Sequence, residues 1–148
     1  AVQAAGGIPP GNAPGVKIWT TRAKKAVKPE IKLTGGKGIE DLSVPLEEII
    51  DAVVQENKWV VFIKGTRTAP ECGFSHAMLT MLNANRIDYE VVNCLDEVFN
   101  PTLREVIKTY SDWPTIPQLY HKGEFLGGAD IIKEMDDSGE LGTLAKSA

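Results

Sequence analysis

The sequence predicts an α/β fold with one four-stranded mixed sheet and helices on both of its faces. Three observations lead to this prediction. Helical and strand-like patterns alternate from residue 43 onward, the strand-like runs are short and rich in β-branched residues, and the last two runs flank a turn. A strand–helix–strand unit followed by a helix, a hairpin and a final helix forms such a sheet.

The first half of the predicted domain consists of helix, strand, helix and strand. Ser43 is expected to cap a helix, whose apolar residues recur at helical spacing over residues 46–54. Residues 59–64 are too few and too β-branched for a helix, and they are expected to form a buried strand. A helix over 74–85 and a strand over 87–93 follow.

The second half consists of helix, hairpin and helix. Asn100 and Pro101 are typical of a helix cap and first turn, and an apolar stripe at helical spacing follows them. Two strand-like runs, 118–120 and 124–126, flank a His-Lys-Gly sequence that favours a turn. Asp130 is expected to cap the next helix, and a short further helix is predicted after it.

Composition restricts the classes of function that the chain can have. Its 148 residues suit one domain, and a hydrophobic fraction of 43% with 24% charged residues is ordinary for a globular protein. A net charge of −4 does not indicate a nucleic-acid-binding face. No apolar run approaches the roughly 18 residues needed to cross a membrane. The two cysteines, Cys72 and Cys94, form no disulfide framework and favour a reducing compartment.

Residues 1–40 are predicted to be a disordered, flexible N-terminal extension, and residues 41–148 to be the folded domain. The first 29 residues contain five basic and no acidic side chains and show no helical or strand period. Such a stretch cannot bury enough apolar surface to offset the entropy of ordering. It is compatible with the remainder of an organellar transit peptide, and the alternative is a plain flexible tail. Residues 16–19 are expected to form a short strand.

The segment around Cys72 is the most informative one, because it follows a strand-like run and precedes a helical pattern. A cysteine at a helix N-terminus lies in the partial positive potential of unpaired backbone N–H groups, which lowers the pKa of its thiol. Ser75 stands where a dithiol enzyme would have its second cysteine. Since serine cannot close a disulfide, this site can attack a disulfide, be capped by an external thiol or bind a metal.

Three motifs carry a resemblance to a known family: Lys64-Gly65-Thr66 with Cys72-Gly73-Phe74-Ser75, the run WPTIPQLY over 113–120, and the run GGADI over 127–131. In this order they resemble the monothiol CGFS glutaredoxins over roughly residues 44–146. The preceding extension resembles the organellar, plastid-type branch. The resemblance implies a thioredoxin fold, bound glutathione, a [2Fe-2S] cluster shared between two subunits, and a BolA-type partner.

The resemblance also implies which residues form the site. A [2Fe-2S] cluster takes four thiolates, and the family's set would be Cys72 from each of two chains plus two glutathione sulfurs. Lys64 and Arg104 match the family's carboxylate-binding cations, and a cis peptide before Pro117 would present the backbone of Ile116 to the tripeptide. The expected glutathione site consists of Lys64, Cys72, Phe74, Arg104, Trp113, Thr115, Ile116, Pro117, Gly128, Ala129 and Asp130.

Several residues near these motifs have a second interpretation. Gly127 and Gly128 would let the backbone approach a ligand closely. Asp130 either caps its helix or contacts the glutathione ammonium group. Many relatives have a cysteine at the position of Ala129, so one candidate resolving thiol is replaced in this chain. Cys94 is expected to be a small buried hydrophobic residue.

Other residues that could carry chemistry are given simpler roles. His76 and His121 lack the spacing of a zinc site. Arg67, in the loop before the thiol, is assigned no role beyond charge steering. The acidic residues of the last helical region are interpreted as a solvated helix face.

Two functions are compatible with these observations. The leading hypothesis is a homodimeric carrier or sensor that assembles a [2Fe-2S] cluster with glutathione and passes it to apo iron–sulfur proteins. The alternative is a glutathione-dependent oxidoreductase, at most a slow enzyme, whose Cys72 thiolate removes glutathione from glutathionylated proteins. The expected location is the chloroplast stroma, with the mitochondrion as the alternative, and no nucleic-acid or membrane partner is expected.

Overall fold

The computed structural model describes residues 28–146 of the chain. The expectations for residues 1–27, including the short strand at 16–19 and the flexible leader, lie outside the described residues. Each helix among residues 28–146 is too short or too polar to span a lipid bilayer.

Four strands and five α-helices make up the described part of the chain. The strands are β1 (Trp59–Ile63), β2 (Glu90–Asn93), β3 (Gln118–His121) and β4 (Glu124–Gly127). The helices are α1 (Leu46–Glu56), α2 (Gly73–Ala84), α3 (Leu103–Ser111), α4 (Ala129–Ser138) and α5 (Glu140–Lys146), and a 3₁₀ turn covers Ile39–Asp41. Their order is the predicted one.

The strands form one sheet in the order β2-β1-β3-β4. β1 pairs in parallel with β2 and antiparallel with β3, and β3 pairs antiparallel with β4. The predicted four-stranded mixed sheet is therefore confirmed. Because β1 and β2 run in the same direction, the residues that follow them meet at one edge of the sheet, which is where open α/β sheets bind ligands.

Two apolar layers cover the two faces of the sheet. All five residues of β1 are buried, and successive side chains of a strand point to opposite faces, so β1 contributes to both layers. On one face, α1 and α3 pack through residues that include Ile50, Val54, Ile107, Phe62 and Tyr120. On the other face, α2, α4 and α5 pack through residues that include Met78, Leu82, Ile132, Leu141 and Val61.

The predicted caps of α1 and α4 are wrong. The cap residue of α1 is Pro45 rather than Ser43, and that of α4 is Gly128 rather than Asp130. Neither cap position makes a side-chain hydrogen bond to the helix. Asp130 lies instead in the first turn of α4, where a negative charge is favourable to the helix dipole.

The predicted cap of α3 is also wrong, because tertiary contacts use the side chain of Asn100. The cap residue is Thr102, with a left-handed backbone at φ +62°. Asn100 is buried, its amide nitrogen donates to the carbonyl of Asn93 at 2.9 Å, and its amide oxygen accepts from the N–H of Leu33 at 2.9 Å. Asn100 thus connects the end of β2 to the segment that precedes the helices.

Part of the predicted N-terminal extension packs against the sheet. The N–H of Ile31 donates to the carbonyl of Val91 at 2.8 Å, on the outer edge of β2. Leu33 is buried, and the N–H of Thr34 donates to the carbonyl of Phe99 at 3.0 Å. The division of the chain at residue 40 stays a prediction, and the described residues ahead of it are in contact with the domain.

Candidate functional site

Cys72 is the cap residue of α2 and follows β1, an interior strand of the sheet. Its thiol is half-buried. Burial raises the pKa of this thiol, but the Ser75 N–H and hydroxyl, the Phe74 N–H and the charge of Lys64 outweigh burial, so the pKa of Cys72 lies below its ordinary value. The site therefore favours the thiolate, which is the nucleophilic and metal-binding form of cysteine.

Ser75 occupies the position of a second thiol and is completely buried. Its hydroxyl oxygen accepts a hydrogen bond from the N–H of Lys64 at 3.1 Å. The same hydroxyl makes a hydrogen bond with Cys72. Ser75 therefore connects the end of β1, the first turn of α2 and the thiolate in one arrangement.

A short loop, residues 65–71, joins β1 to Cys72. The N–H of Glu71 donates to the carbonyl of Lys64 at 2.8 Å, which closes the base of the loop. Gly65 has φ +108°, and a Cβ there would lie 2.6 Å from the carbonyl oxygen of Ala69. Only glycine tolerates this conformation and this close approach. The loop thus holds Lys64 beside Glu71, the residue before Cys72.

A cleft of ≈ 320 Å³ opens beside the thiol. Five parts of the chain line it: the end of β1, the start of α2, the helix α3, the segment before β3 and the start of α4. Ten of the eleven residues predicted for the glutathione site line this cleft: Lys64, Cys72, Phe74, Trp113, Thr115, Ile116, Pro117, Gly128, Ala129 and Asp130.

The cations around the cleft differ from the predicted pair. Arg104 is exposed and does not line the cleft, whereas Lys108 is half-buried and does. Both lie on α3 four residues apart, and positions at this spacing share one helix face. Helical periodicity starting from Arg104 could therefore have identified Lys108. A ligand-binding role for Arg104 stays a prediction.

Close contacts shape the part of the cleft wall that contains Trp113, Pro117 and Gly128. The Ile116–Pro117 peptide bond is cis, which confirms the expectation from the resemblance. A Cβ on Gly128 would lie 3.0 Å from Nε1 of Trp113 and 3.3 Å from the carbonyl oxygen of Pro117. Nε1 of Trp113 is itself buried and has no hydrogen-bond partner among the described residues. A buried N–H in this state is a donor that a ligand can satisfy.

The second cysteine lies in a different environment. Cys94 follows β2 and has no exposed surface. Burial raises its pKa to about 12, despite the nearby charges of Arg104 and Lys64. The prediction of a buried hydrophobic residue is confirmed. Among residues 28–146, no three His, Cys, Asp or Glu side chains are grouped so that they could hold a metal ion.

Comparisons with known proteins agree with the motifs. Residues 59–126 match the glutaredoxin family. The bifunctional monothiol glutaredoxin-S16, chloroplastic, of Arabidopsis thaliana is 46% identical over 143 residues, which are 97% of this chain and 48% of that protein. The chain therefore spans about half the length of this relative. The mitochondrial monothiol glutaredoxin-5 of Schizosaccharomyces pombe is 43% identical over 105 residues, 71% of this chain and 72% of that protein.

A solved structure shows a similar fold. The solution structure of reduced poplar apo GrxS14 aligns with a TM-score of 0.58 at 45% sequence identity. The alignment covers 67% of this chain and 88% of the poplar chain. The likeness thus extends over nearly all of the poplar chain.

Proposed function

Because the chain belongs to the monothiol glutaredoxins and has their thioredoxin fold, we propose that it binds glutathione in the cleft beside Cys72 and, as a pair of chains, carries a [2Fe-2S] cluster. One observation carries the proposal. A thiol of lowered pKa lies in a cleft where it is the one cysteine among the described lining residues. Such a thiolate can take a ligand or a metal, and no second cysteine of the described lining residues can pair with it in a disulfide.

The cleft offers a complementary group for each part of glutathione. Lys64 and Lys108 supply positive charge for its carboxylates. The N-terminus of α4 also lies at the cleft, and helix N-termini favour carboxylates. The carboxylate of Asp130 suits the ammonium group, and the backbone at Ile116 can pair with an extended peptide. The buried N–H of Trp113 is available to a carbonyl of the ligand.

A [2Fe-2S] cluster needs four thiolates, and each chain offers one at this cleft. Two copies of Cys72 supply two, and glutathione, when bound, supplies one further thiolate per chain. Phe74 lies next to the thiol with 63% of its surface exposed. An exposed aromatic ring at this place offers apolar surface that a second chain can cover.

The cluster is cargo in this proposal rather than a permanent part of the fold. The glutathione thiolates can exchange with solvent, so Cys72 is the only cluster ligand that belongs to the chain itself. Such replaceable ligands allow the cluster to be released to apo iron–sulfur proteins. The protein partners proposed from the resemblance are a BolA-type protein and apo iron–sulfur proteins. The chloroplast stroma is the proposed location, supported by the chloroplastic relative, with the mitochondrion as the alternative.

The lowered pKa of Cys72 also supports a second function, the reduction of glutathionylated proteins. The thiolate would attack the glutathione sulfur of a protein–glutathione disulfide, forming a Cys72–glutathione disulfide and releasing the protein thiolate. The thiolate of a second glutathione would then displace Cys72 and form oxidised glutathione. This cycle is balanced in atoms and electrons and needs no second cysteine in the chain.

Anaerobic reconstitution with iron, sulfide and glutathione separates these functions. We expect a coloured dimer by visible absorption and solution mass measurement. Cys72→Ser should stay colourless and monomeric, whereas Cys94→Ala should keep the colour because Cys94 lies in the core. Colour in Cys72→Ser, or in the wild type without glutathione, would contradict the proposed ligand set. A colourless wild-type monomer that rapidly deglutathionylates proteins would favour the reductase.

A further inference from the structure

Residues 28–34, ahead of the predicted domain, are anchored along the edge strand β2. Nζ of Lys28 lies 2.7 Å from a carboxylate oxygen of Asp88 and 2.6 Å from one of Glu90. The Ile31 N–H forms a main-chain hydrogen bond to Val91, at the outer edge of β2. The segment is therefore attached to β2 and the residues just before it by both ion pairs and a main-chain hydrogen bond.

The same segment also holds the loop that leads to the thiol. Oε2 of Glu30 accepts a hydrogen bond from the backbone N–H of Arg67 at 3.1 Å. Arg67 lies near the middle of the 65–71 loop, five residues before Cys72. A carboxylate that accepts a backbone N–H makes a charge-assisted bond, which is stronger than a neutral one. The centre of the loop is thus attached to the chain ahead of the domain.

The side chain of Arg67 supplies a second attachment for the loop. Its Nη2 donates to the carbonyl of Tyr89 at 2.9 Å, and its guanidinium carbon lies 4.5 Å from the centroid of the Tyr89 ring. Neither Tyr89 nor Glu30 lines the cleft. The bonds of Arg67 to Glu30 and Tyr89 thus hold the middle of the loop against the residues beside β2. The base of the loop is closed separately by the hydrogen bond from Glu71 to Lys64.

We propose that Glu30 and Arg67 are positioning residues for the thiol site, and that residues 28–34 clamp the loop between β1 and Cys72. The inference rests on the proposed function, since the clamp would act by keeping the glutathione cleft in its binding shape before the ligand arrives. A loop that is already ordered has less conformational entropy to lose when a ligand binds beside it. Without the clamp, glutathione binding has to order Lys64 and the residues leading to Cys72.

The test compares Glu30→Ala with Glu30→Gln, whose side-chain oxygen still accepts a hydrogen bond. Amide hydrogen exchange by NMR reports the loop, and calorimetry reports the Kd of glutathione. We expect Glu30→Ala to speed exchange at the Arg67 and Glu71 amides about tenfold and to weaken glutathione binding about threefold. Glu30→Gln should restore most of both. Lys37→Ala changes an exposed residue of the same extension and is the matched control.

Each outcome decides the inference. Unchanged exchange at Arg67 in Glu30→Ala would show that the clamp does not form. If amide exchange became faster at Arg67 while exchange at Glu71 and the Kd of glutathione stayed unchanged, the clamp would exist but would not position the thiol site. Arg67→Ala should act in the same direction as Glu30→Ala, and its thermal unfolding shows whether it folds. If the wild type binds no glutathione, the proposed function fails, whereas the Glu71 amide still tests the positioning of the loop.

Discussion

The two cysteines follow the two parallel strands of the sheet, yet their surroundings give them opposite chemistry. Cys72 begins a helix, receives hydrogen bonds from Ser75 and Phe74, and lines a cleft, so its pKa is lowered. Cys94 follows β2 directly and packs in the apolar layer beneath α1 and α3, so burial raises its pKa to about 12. A position after a strand is therefore not enough to activate a thiol, because donors and access to solvent are also needed.

The largest expected effect is the difference in reactivity between the two thiols. With iodoacetamide at neutral pH, we expect Cys72 to be alkylated at least about a thousandfold faster than Cys94, because only the thiolate reacts and Cys94 is inaccessible. Peptide mass spectrometry of the folded protein measures both rates. Comparable rates would mean that the contrast between the two sites does not exist in solution.

The stability of the fold at alkaline pH tests the Cys94 side of the comparison. Its folded pKa of about 12 lies above that of an unfolded thiol, so its stabilising contribution is complete below the unfolded pKa. That contribution should be lost as the pH rises from the unfolded value toward 12, by about 1 kcal/mol per pH unit.

Urea unfolding of the wild type and Cys94→Ala between pH 8 and about 11 isolates the contribution of Cys94 to the free energy of unfolding, because the other titrating groups are common to both proteins. The difference in their free energies of unfolding should shrink or reverse as the pH rises. A difference that is independent of pH would show that Cys94 can ionise in the folded protein.

Ser75→Ala tests what lowers the pKa on the Cys72 side. Removing the hydroxyl takes away one hydrogen bond to the sulfur and leaves the Lys64 N–H without its 3.1 Å acceptor. We expect the pKa of Cys72 to rise by about one unit, because hydrogen bonds to charged groups are worth about 1.5–3 kcal/mol. The midpoint of the alkylation rate against pH measures this shift.

Thr80→Ala is the control for that measurement, since Thr80 is an exposed hydroxyl residue on the same helix and bonds to the carbonyl of His76. It should leave the midpoint where it is in the wild type. If Ser75→Ala also left the midpoint unchanged, backbone donors alone would account for the activated thiol.

The smallest expected effect belongs to Lys64→Gln. Its charge is the weakest of the contributions that lower the pKa of Cys72, and solvent screens charges at half-buried positions. We expect the alkylation midpoint to rise by a few tenths of a unit and the shift to disappear at about 1 M salt. Lys58→Gln, an exposed lysine before β1, should produce no shift. A salt-independent shift would point to a change in structure rather than in charge.

Much of the fold could be predicted because its patterns are local. The helical stripe of α1, the β-branched run of β1 and the turn between β3 and β4 each lie within about a dozen residues. The predicted cap of α3 was wrong for the opposite reason. The Asn100 side chain bonds to Asn93, seven residues away, and to Leu33, 67 residues away, so its intrinsic preference for a cap was overridden.

The site could be predicted to a similar extent. Ten residues named from the resemblance line the cleft, and their ligand-binding roles stay predictions, whereas Lys108 was missed because no motif contains it. The surroundings of Arg67 could not be predicted either. Its partners Glu30 and Tyr89 are 37 and 22 residues away, and no periodic pattern relates them.

The sequence by itself determined the order of the elements, the position of Cys72 between a strand and a helix, and the presence of Ser75 three residues after it. These depend on residue type and short-range spacing, which the printed chain contains in full. Only the tertiary structure decided that Lys108 lines the cleft, that burial raises the pKa of Cys94 to about 12 and that Glu30 accepts a hydrogen bond from the loop before Cys72. Such features depend on burial and on distances between remote segments, and those quantities exist only once the chain has packed.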